Sequence, residues 1–90
     1  MNITKSSRVG KKWMATFKNG DTTHFGASGA TDYTISGNEE ARDRYRARHL
    51  KDLDTEDPRR AGFLSFFLLW GDSKNLQTNI NTYRRRFGDL

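Results

Sequence analysis

The sequence predicts an α+β domain, in which a small N-terminal antiparallel β-hairpin packs on about three short helices. Three observations support this class. Apolar residues alternate on both sides of an Asn-Gly pair, two later segments repeat apolar residues at helical spacing, and a short stretch near the C-terminus is almost wholly apolar. A chain of 90 residues forms one domain with a single modest core.

The hairpin is predicted over residues 11–27. Asn19 and Gly20 both tolerate positive φ, and this pair is the strongest short-range signal for a tight type I′ turn between two strands. Residues 33–35 are a candidate third strand, because they are β-forming residues that follow a run of small, turn-forming ones.

Two helices are predicted on either side of the apolar stretch. The first covers residues 38–51, where two glutamates near its start complement the positive end of the helix dipole and the apolar face is thin. The last runs from Ser73, as the N-cap, to about residue 86, and Gly88 ends it.

The apolar stretch AGFLSFFLLWG lies between these helices and is flanked by charged residues. Its ten residues before Gly71 are about half of what a membrane-spanning helix needs, which excludes a membrane span. Asp57 as the N-cap and Pro58 at the first helical position predict where this helix begins. Because nearly its whole circumference is apolar, we expect burial, with the alternative that one face is an exposed docking surface. The residues assigned to core or interface, at spacing i, i+3, i+4 and i+7, are Phe63, Phe66, Phe67 and Trp70.

Composition indicates an acidic partner. Sixteen Lys and Arg against eleven Asp and Glu leave a formal net charge of +5, which favours nucleic acid, with excess surface charge as the alternative. The chain has no cysteine and no apolar leader, so we expect no secreted disulfide scaffold and a location in a virion or inside a host cell. Residues 1–10 have no periodic pattern and are expected to be a flexible basic segment outside a domain of residues 11–90.

No constellation of residues predicts catalysis or a metal site. His24 and His49 lie on a predicted strand and a predicted helix, and two histidines without cysteine do not supply the about four ligands of a zinc site. The acidic loop at residues 52–57 lacks the ligand spacing of a calcium loop, and no lysine follows the glycines of residues 24–31 to reach a phosphate. We therefore expect a protein that is not an enzyme and uses no cofactor, metal or small-molecule substrate.

The basic residues are the most informative, because ten of the sixteen are arginine. Guanidinium groups bind phosphates and carboxylates in a bidentate manner and stack on aromatic rings. The alternative is that these arginines serve as helix-end charges and internal ion pairs. The predicted nucleic-acid contacts are Lys11, Lys12, Arg42, Arg44, Arg46, Arg48, Arg84, Arg85 and Arg86, and the predicted aromatic contacts are Trp13 and Tyr45.

Five segments follow one another over residues 11–88: KKWMATF, HFGASGATDYT, RDRYRARH, DPRRAGFLSFFLLWG and YRRRFG. In this order they resemble a family of small uncharacterised proteins encoded by large DNA viruses of algae and protists. The resemblance covers nearly the whole chain and implies a viral origin. It brings no known activity, and therefore no catalytic or binding residue.

These observations together predict a small, non-enzymatic basic protein that contacts nucleic acid, DNA rather than RNA, and is packaged in a virion. The alternative is a minor capsid or cement protein, in which the arginines pair with acidic patches of a coat protein and the Phe/Trp helix supplies the anchors. A host-directed inhibitor that blocks an acidic surface ranks below both, and a small enzyme ranks last.

Overall fold

The computed structural model describes residues 1–90 and confirms the α+β class. A three-stranded antiparallel sheet is followed by four α-helices, one more than the sequence predicts. Every helix is too short or too polar to cross a bilayer. The elements in chain order are strands β1 (Asn2–Lys5), β2 (Lys11–Thr16) and β3 (Thr22–Ala27), helices α1 (Tyr33–Ser36) and α2 (Glu39–His49), a 3₁₀ helix (Leu50–Thr55), helix α3 (Ala61–Leu64) with a π-helical turn (Ser65–Leu69), and helix α4 (Leu76–Phe87).

The predicted hairpin is present as β2 and β3, but its turn differs from type I′. The Phe17 N–H donates to the Asp21 carbonyl at 2.9 Å, and of the turn residues only Gly20 has a positive φ, at 91°. Asn19 instead accepts a hydrogen bond from the Asp21 N–H on its side-chain oxygen, at 3.0 Å. The connection is therefore a three-residue loop with glycine in the left-handed region.

The N-terminal segment is part of the sheet, which corrects the expectation of a flexible segment over residues 1–10. Strand β1 pairs antiparallel with β2 along its whole length, and Met1 is a buried member of the core. Strand β1 is not predicted from the sequence because Ile3 is its only apolar residue, and one apolar residue shows no alternation. Its position depends on pairing with β2, which is a tertiary effect.

The candidate strand at residues 33–35 is instead the short helix α1, so that prediction is wrong. The Asp32 carboxylate caps the helix by accepting from the Thr34 N–H at 2.9 Å. Gly37 ends it with a φ of 63° and an N–H that donates to the Tyr33 carbonyl at 3.0 Å. Hydrogen bonds at both ends outweigh the β preference of a Tyr-Thr-Ile run.

Helix α3 begins three residues later than the sequence predicts. Its N-cap is Arg60, and Asp57 closes a separate turn by accepting from the Arg59 N–H on its carboxylate at 3.0 Å and from the Arg60 N–H on its carbonyl at 3.1 Å. Pro58 lies inside this turn and not at the first helical position. The predicted capping residue therefore orders the connection that precedes the helix.

Helix α4 also begins later than predicted. Asn75 is its N-cap and accepts from the Thr78 N–H at 3.0 Å. Ser73, the predicted cap, accepts from the Asn75 N–H at 3.0 Å and orders the approach to the helix. Gly88 ends the helix as predicted, with an N–H that donates back into the last turn.

The apolar segment of α3 and the π-helical turn lies at the centre of the fold. Phe63 and Phe66 are buried, whereas Phe67 and Trp70 are half-buried. The ring of Phe87 on α4 lies 5.5 Å from that of Phe63 and 5.3 Å from that of Phe67, so the phenylalanines pack towards α4. The leucines of the segment join the sheet residues in a core made of Met1, Ala15, Phe17, Phe25, Leu64, Leu68, Leu69, Ile80 and Tyr83.

Candidate nucleic-acid interface

The basic side chains divide into two groups by their surroundings. Seven of the sixteen Lys and Arg form ion pairs with a carboxylate of the chain. The remaining nine are all exposed and have no acidic partner, so they carry the charge that is available to a polyanion. These nine are Lys5, Arg8, Lys11, Lys51, Arg48, Arg59, Lys74, Arg85 and Arg86.

Two of the four predicted arginines on α2 make contacts within the protein. The guanidinium of Arg42 lies over the ring of Tyr33, 4.6 Å from its centroid. Arg46 donates to the Trp70 carbonyl at 2.7 Å and to the Asp72 carboxylate at 3.0 Å. Because α2 buries no residue completely, these contacts help hold it against the rest of the molecule. They leave Arg42 and Arg46 poorly placed for phosphate.

The other two arginines of α2 face solvent. Arg44 is 62% exposed and lies 4.0 Å from Glu40, a distance at which an exposed ion pair contributes little. Arg48 is exposed and has no acidic partner. One turn apart on the helix, the two guanidinium groups are on the same side, as the spacing predicts.

Of the two lysines at the start of β2, one is paired with a carboxylate and the other is exposed. The Lys12 ammonium donates to the Asp32 carboxylate at 2.7 Å, and the two side chains are 15% and 2% exposed. Lys11 is exposed and unpaired. Lys12 therefore neutralises a buried acid, and Lys11 is available to a partner.

The arginines of α4 lie far from Lys11. Arg84 donates to the Met1 carbonyl at 2.7 Å, at the edge where β1 begins, whereas Lys11 is at the opposite end of β2. Strand β2 separates these ends by about 17 Å. Arg86 is exposed with its guanidinium 4.8 Å from the ring centroid of Phe67, and Arg85 donates within its own helix. The nine predicted contacts therefore do not form one continuous surface.

Two neighbouring concave regions bring together other predicted residues. The first, called here the hairpin cleft, has a volume of about 360 Å³ and is lined by Lys5, Lys11, Trp13 and Ile35 among others. The second, the aromatic cavity, has a volume of about 330 Å³ and lies between the ends of β2 and β3, α2 and α3. Both regions are lined by Lys11 and by the Lys12–Asp32 ion pair, so they are adjacent.

The aromatic cavity contains a stack of three rings. The ring of Tyr45 lies between those of His49 and Trp70, with centroid separations of 4.1 and 4.5 Å and interplanar angles of 23° and 10°. Burial, and next the negative charge of Asp52, raise the pKa of Tyr45 above its ordinary value. Tyr45 was predicted as an aromatic contact and does line the cavity, but its two faces are covered by neighbouring rings.

Sequence reasoning missed most of the residues that line this cavity. The His49 ring nitrogen Nδ1 lies 3.0 Å from the Asp52 carboxylate, and Ser65 and Trp70 reach the same cavity from the π-helical turn and its end. His49 and Asp52 are only three residues apart, so their i, i+3 spacing was a usable signal. Ser65 gave none, and Trp70 was identified only as a core or interface residue, because the packing of α2 against the π-helical turn and its end brings these side chains to the cavity.

Fold and site together define a small basic α+β domain with an uncompensated basic cleft beside an aromatic cavity. The chain belongs to a family of unknown function (DUF5754), whose model matches residues 1–49. No curated protein and no solved structure matches the chain. The matched region contains the whole hairpin cleft and most of the wall of the aromatic cavity, including Lys11, Tyr45 and His49. It does not contain Asp52, Ser65 or Trp70.

Proposed function

We propose that this chain is a small basic binding protein, not an enzyme, that contacts nucleic acid through the hairpin cleft. The observation that carries the proposal is the pairing of charge with an aromatic ring in one concave region. Lys5 and Lys11 are exposed without acidic partners. Trp13, on the same cleft wall, is the cross-strand neighbour of Lys5 and lies two residues from Lys11 on β2. Unpaired cations bind phosphates, and a half-exposed indole offers a face or edge to a base or sugar.

The charge balance of the cleft favours a polyanion. Its one carboxylate, Asp32, is neutralised by Lys12, so that Lys5 and Lys11 leave a local surplus. Arg8 lies in the turn that joins β1 to β2 and adds a third unpaired cation. Three phosphate contacts predict that the logarithm of the binding constant falls with the logarithm of the salt concentration at a slope between about −2 and −3.

The proposed setting is a virion or an infected cell, and DNA is the proposed polymer. The order of segments over residues 11–88 that resembles small proteins of large DNA viruses supports this setting. A protein packaged with a genome works at high nucleic-acid concentration. Binding of modest, sequence-independent affinity, with a dissociation constant of about 1–100 µM, is sufficient there.

Two matched double variants test the proposal by fluorescence anisotropy with labelled DNA at about 50 and about 200 mM salt. Lys5→Gln with Lys11→Gln removes two cleft cations, and Arg59→Gln with Arg85→Gln removes two exposed, unpaired cations elsewhere. We expect the cleft variant to bind about tenfold more weakly and the control to change by less than about threefold. An equal loss in both variants would contradict the cleft assignment, and no binding at the lower salt would contradict the function.

A second groove favours the alternative function, assembly through a protein partner. This groove, of about 590 Å³, lies between the 3₁₀ helix and α4 and is lined by Leu50, Leu53, Phe66 and Phe87. Leu50 is 60% exposed, and the unpaired Arg86 is at the edge of the groove. Apolar residues beside a free guanidinium suit a coat-protein segment with an apolar face and an acidic flank.

Site-specific photocrosslinking distinguishes the two functions. A benzophenone amino acid is placed either at position 11, in the cleft, or at position 50, in the groove, and crosslinking is done in the native viral or cellular material. Crosslinks to nucleic acid from position 11 alone support the lead proposal. Crosslinks from position 50 to a coat protein, with none to nucleic acid from position 11, favour assembly.

A further inference from the structure

The aromatic cavity is small and has an aromatic wall. Its volume of about 330 Å³ is at the lower end of the range for ligand pockets, and its aromatic wall is the stack of His49, Tyr45 and Trp70. Stacked rings hold one another rigid, so a planar guest would meet a preformed surface. Trp70 is half-buried and therefore keeps part of its ring accessible.

The same cavity supplies polar partners for the edge of such a ligand. One oxygen of the Asp52 carboxylate is hydrogen-bonded to His49 Nδ1, at 3.0 Å, and its other oxygen is free for a ligand. The side chains of Asp52 and His49 are 32% and 39% exposed, so neither is sealed inside the protein. Ser65 adds a hydroxyl to the wall. A nucleobase has both a flat apolar face and a polar edge and fits this combination.

We infer that the aromatic cavity holds one unpaired base of a bound single strand, while the phosphate beside that base contacts Lys11. This inference rests on the proposed function, because it assigns the form of nucleic acid that the cleft binds. Lys11 borders both the cleft and the cavity, so a backbone that lies along the hairpin cleft passes the mouth of the cavity. A base inside a duplex is held in its stack and would first have to be extruded.

The two tryptophans of the chain provide separate reporters, since Trp13 lines the cleft and Trp70 lines the cavity. In Trp13→Phe the only indole emission comes from Trp70, and in Trp70→Phe it comes from Trp13. Each variant is titrated with a single strand of about 12 nucleotides, the matching duplex, an abasic strand of the same length and a deoxynucleoside monophosphate. Ligands are compared within one variant, which removes any effect of the substitution on affinity.

We expect the single strand to quench Trp70 saturably and to bind at least about fivefold more tightly than the duplex. The abasic strand and the duplex should leave Trp70 unchanged while still altering the emission of Trp13. A Trp70 response to the abasic strand, or equal affinity for duplex and single strand, would overturn the base site and leave nucleic-acid binding intact. If the deoxynucleoside monophosphate binds as tightly as the single-stranded oligonucleotide, the ligand is a free nucleotide, and the assignment to single-stranded nucleic acid is overturned. If no polymer binds at about 50 mM salt, the proposed function fails together with this inference.

Discussion

Lys11 and Lys12 are adjacent in the chain, but their ammonium groups lie in different electrostatic surroundings. The Lys12 ammonium reaches the buried Asp32 carboxylate, whereas the Lys11 side chain is exposed and has no acidic partner. A buried carboxylate must be paired or hydrogen-bonded to remain charged. The Asp32 carboxylate is paired with the Lys12 ammonium and also accepts hydrogen bonds from the N–H and the hydroxyl of Thr34.

Lys12→Met should therefore destabilise the protein, because it leaves the charge of Asp32 buried without its cation. We expect the free energy of unfolding in urea to fall by about 3 kcal/mol. The adjacent variant Lys11→Met is the control and should change it by less than about 0.5 kcal/mol. Adding Asp32→Asn to Lys12→Met should recover part of the loss. Equal stability of the two single variants would show that the Lys12–Asp32 pair contributes nothing to the fold.

The end of the apolar helix is fixed by a close approach between two elements. A β-carbon placed on Gly71 would lie 2.1 Å from the Phe67 carbonyl oxygen and 3.0 Å from the side-chain oxygen of Asn79. Asn79 is itself buried on α4 and donates to the carbonyls of Leu68 and Ser73 at 3.0 and 2.8 Å. The amide of Asn79 thereby joins the π-helical turn to α4, and only glycine leaves room for it.

Gly71→Ala should separate these two elements and destabilise the protein. We expect a loss of at least about 2 kcal/mol in the free energy of unfolding, measured in urea, because backbone and a buried amide must both move. Gly10→Ala is the control: its φ of 84° costs about 1 kcal/mol, but nothing lies within 4 Å of the added carbon. A smaller loss for Gly71→Ala than for Gly10→Ala would refute the steric explanation.

The two ends of the 90-residue chain meet in one ionic cluster. The Met1 ammonium donates to the Asp89 carboxylate at 2.7 Å, and Lys18 and Arg84 lie within 3.8 Å of the same carboxylate. The hydrogen bond from this ammonium, and next its charge, lower the pKa of Asp89 below the ordinary 3.8. This contact closes the molecule between the start of β1 and the end of α4.

The stabilising effect of this cluster should depend on pH. Because the pKa of Asp89 is lower in the folded protein, its contribution is present above about pH 4 and is lost as the pH falls through the folded-state value. Asp89→Asn should therefore unfold at a lower urea concentration than wild type at pH 6, with the difference disappearing near pH 2. Asp54→Asn, which removes an exposed carboxylate without an ion-pair partner, should match wild type at both pH values. A difference for Asp89→Asn that persists at the lower pH would contradict the ionic origin.

The core depends on residues from both halves of the chain. Met1, Ala15, Phe17 and Phe25 come from the family-matched region, whereas the larger part of the buried cluster comes from the apolar segment and α4. Without the apolar segment and α4, the sheet keeps only four of the nine core residues and leaves its apolar side in water. We expect a peptide of residues 1–49 to show no cooperative urea transition, in contrast to the full chain. Cooperative unfolding of the peptide would mean that the matched region is a domain of its own.

The fold class was predictable because its main signals are local. The Asn-Gly pair marked the β2–β3 hairpin, and the apolar stretch was long enough for a buried helix and too short for a membrane span. The elements that were missed have little local pattern: β1 contains one apolar residue, and α1 has one turn and depends on the cap from Asp32. Helix starts were displaced by two or three residues, because a turn preceded each of the last two helices.

The candidate site was only partly predictable. Lys11, Trp13 and Tyr45 were identified from residue type, and they line the cleft or the cavity. Arg42 and Arg46 have the same residue type and charge pattern as exposed arginines, yet they contact Tyr33, Trp70 and Asp72. The remaining cavity residues come from β3, the end of α2, the 3₁₀ helix and the apolar segment, and only His49 and Asp52 among them share a local spacing.

Hydrophobic spacing, turn residues and helix caps act over a few residues, and they were sufficient to establish an α+β domain with a buried apolar helix. The availability of each cation depends on pairs that join distant parts of the chain. Lys12 and Asp32 are 20 residues apart, Arg46 and Asp72 are 26 apart, and Arg84 and Met1 are 83 apart. Ion pairs and hydrogen bonds depend on the distance between the partners in space and not on their separation in sequence. Only the tertiary structure therefore shows which lysines and arginines are paired and which are available to a ligand.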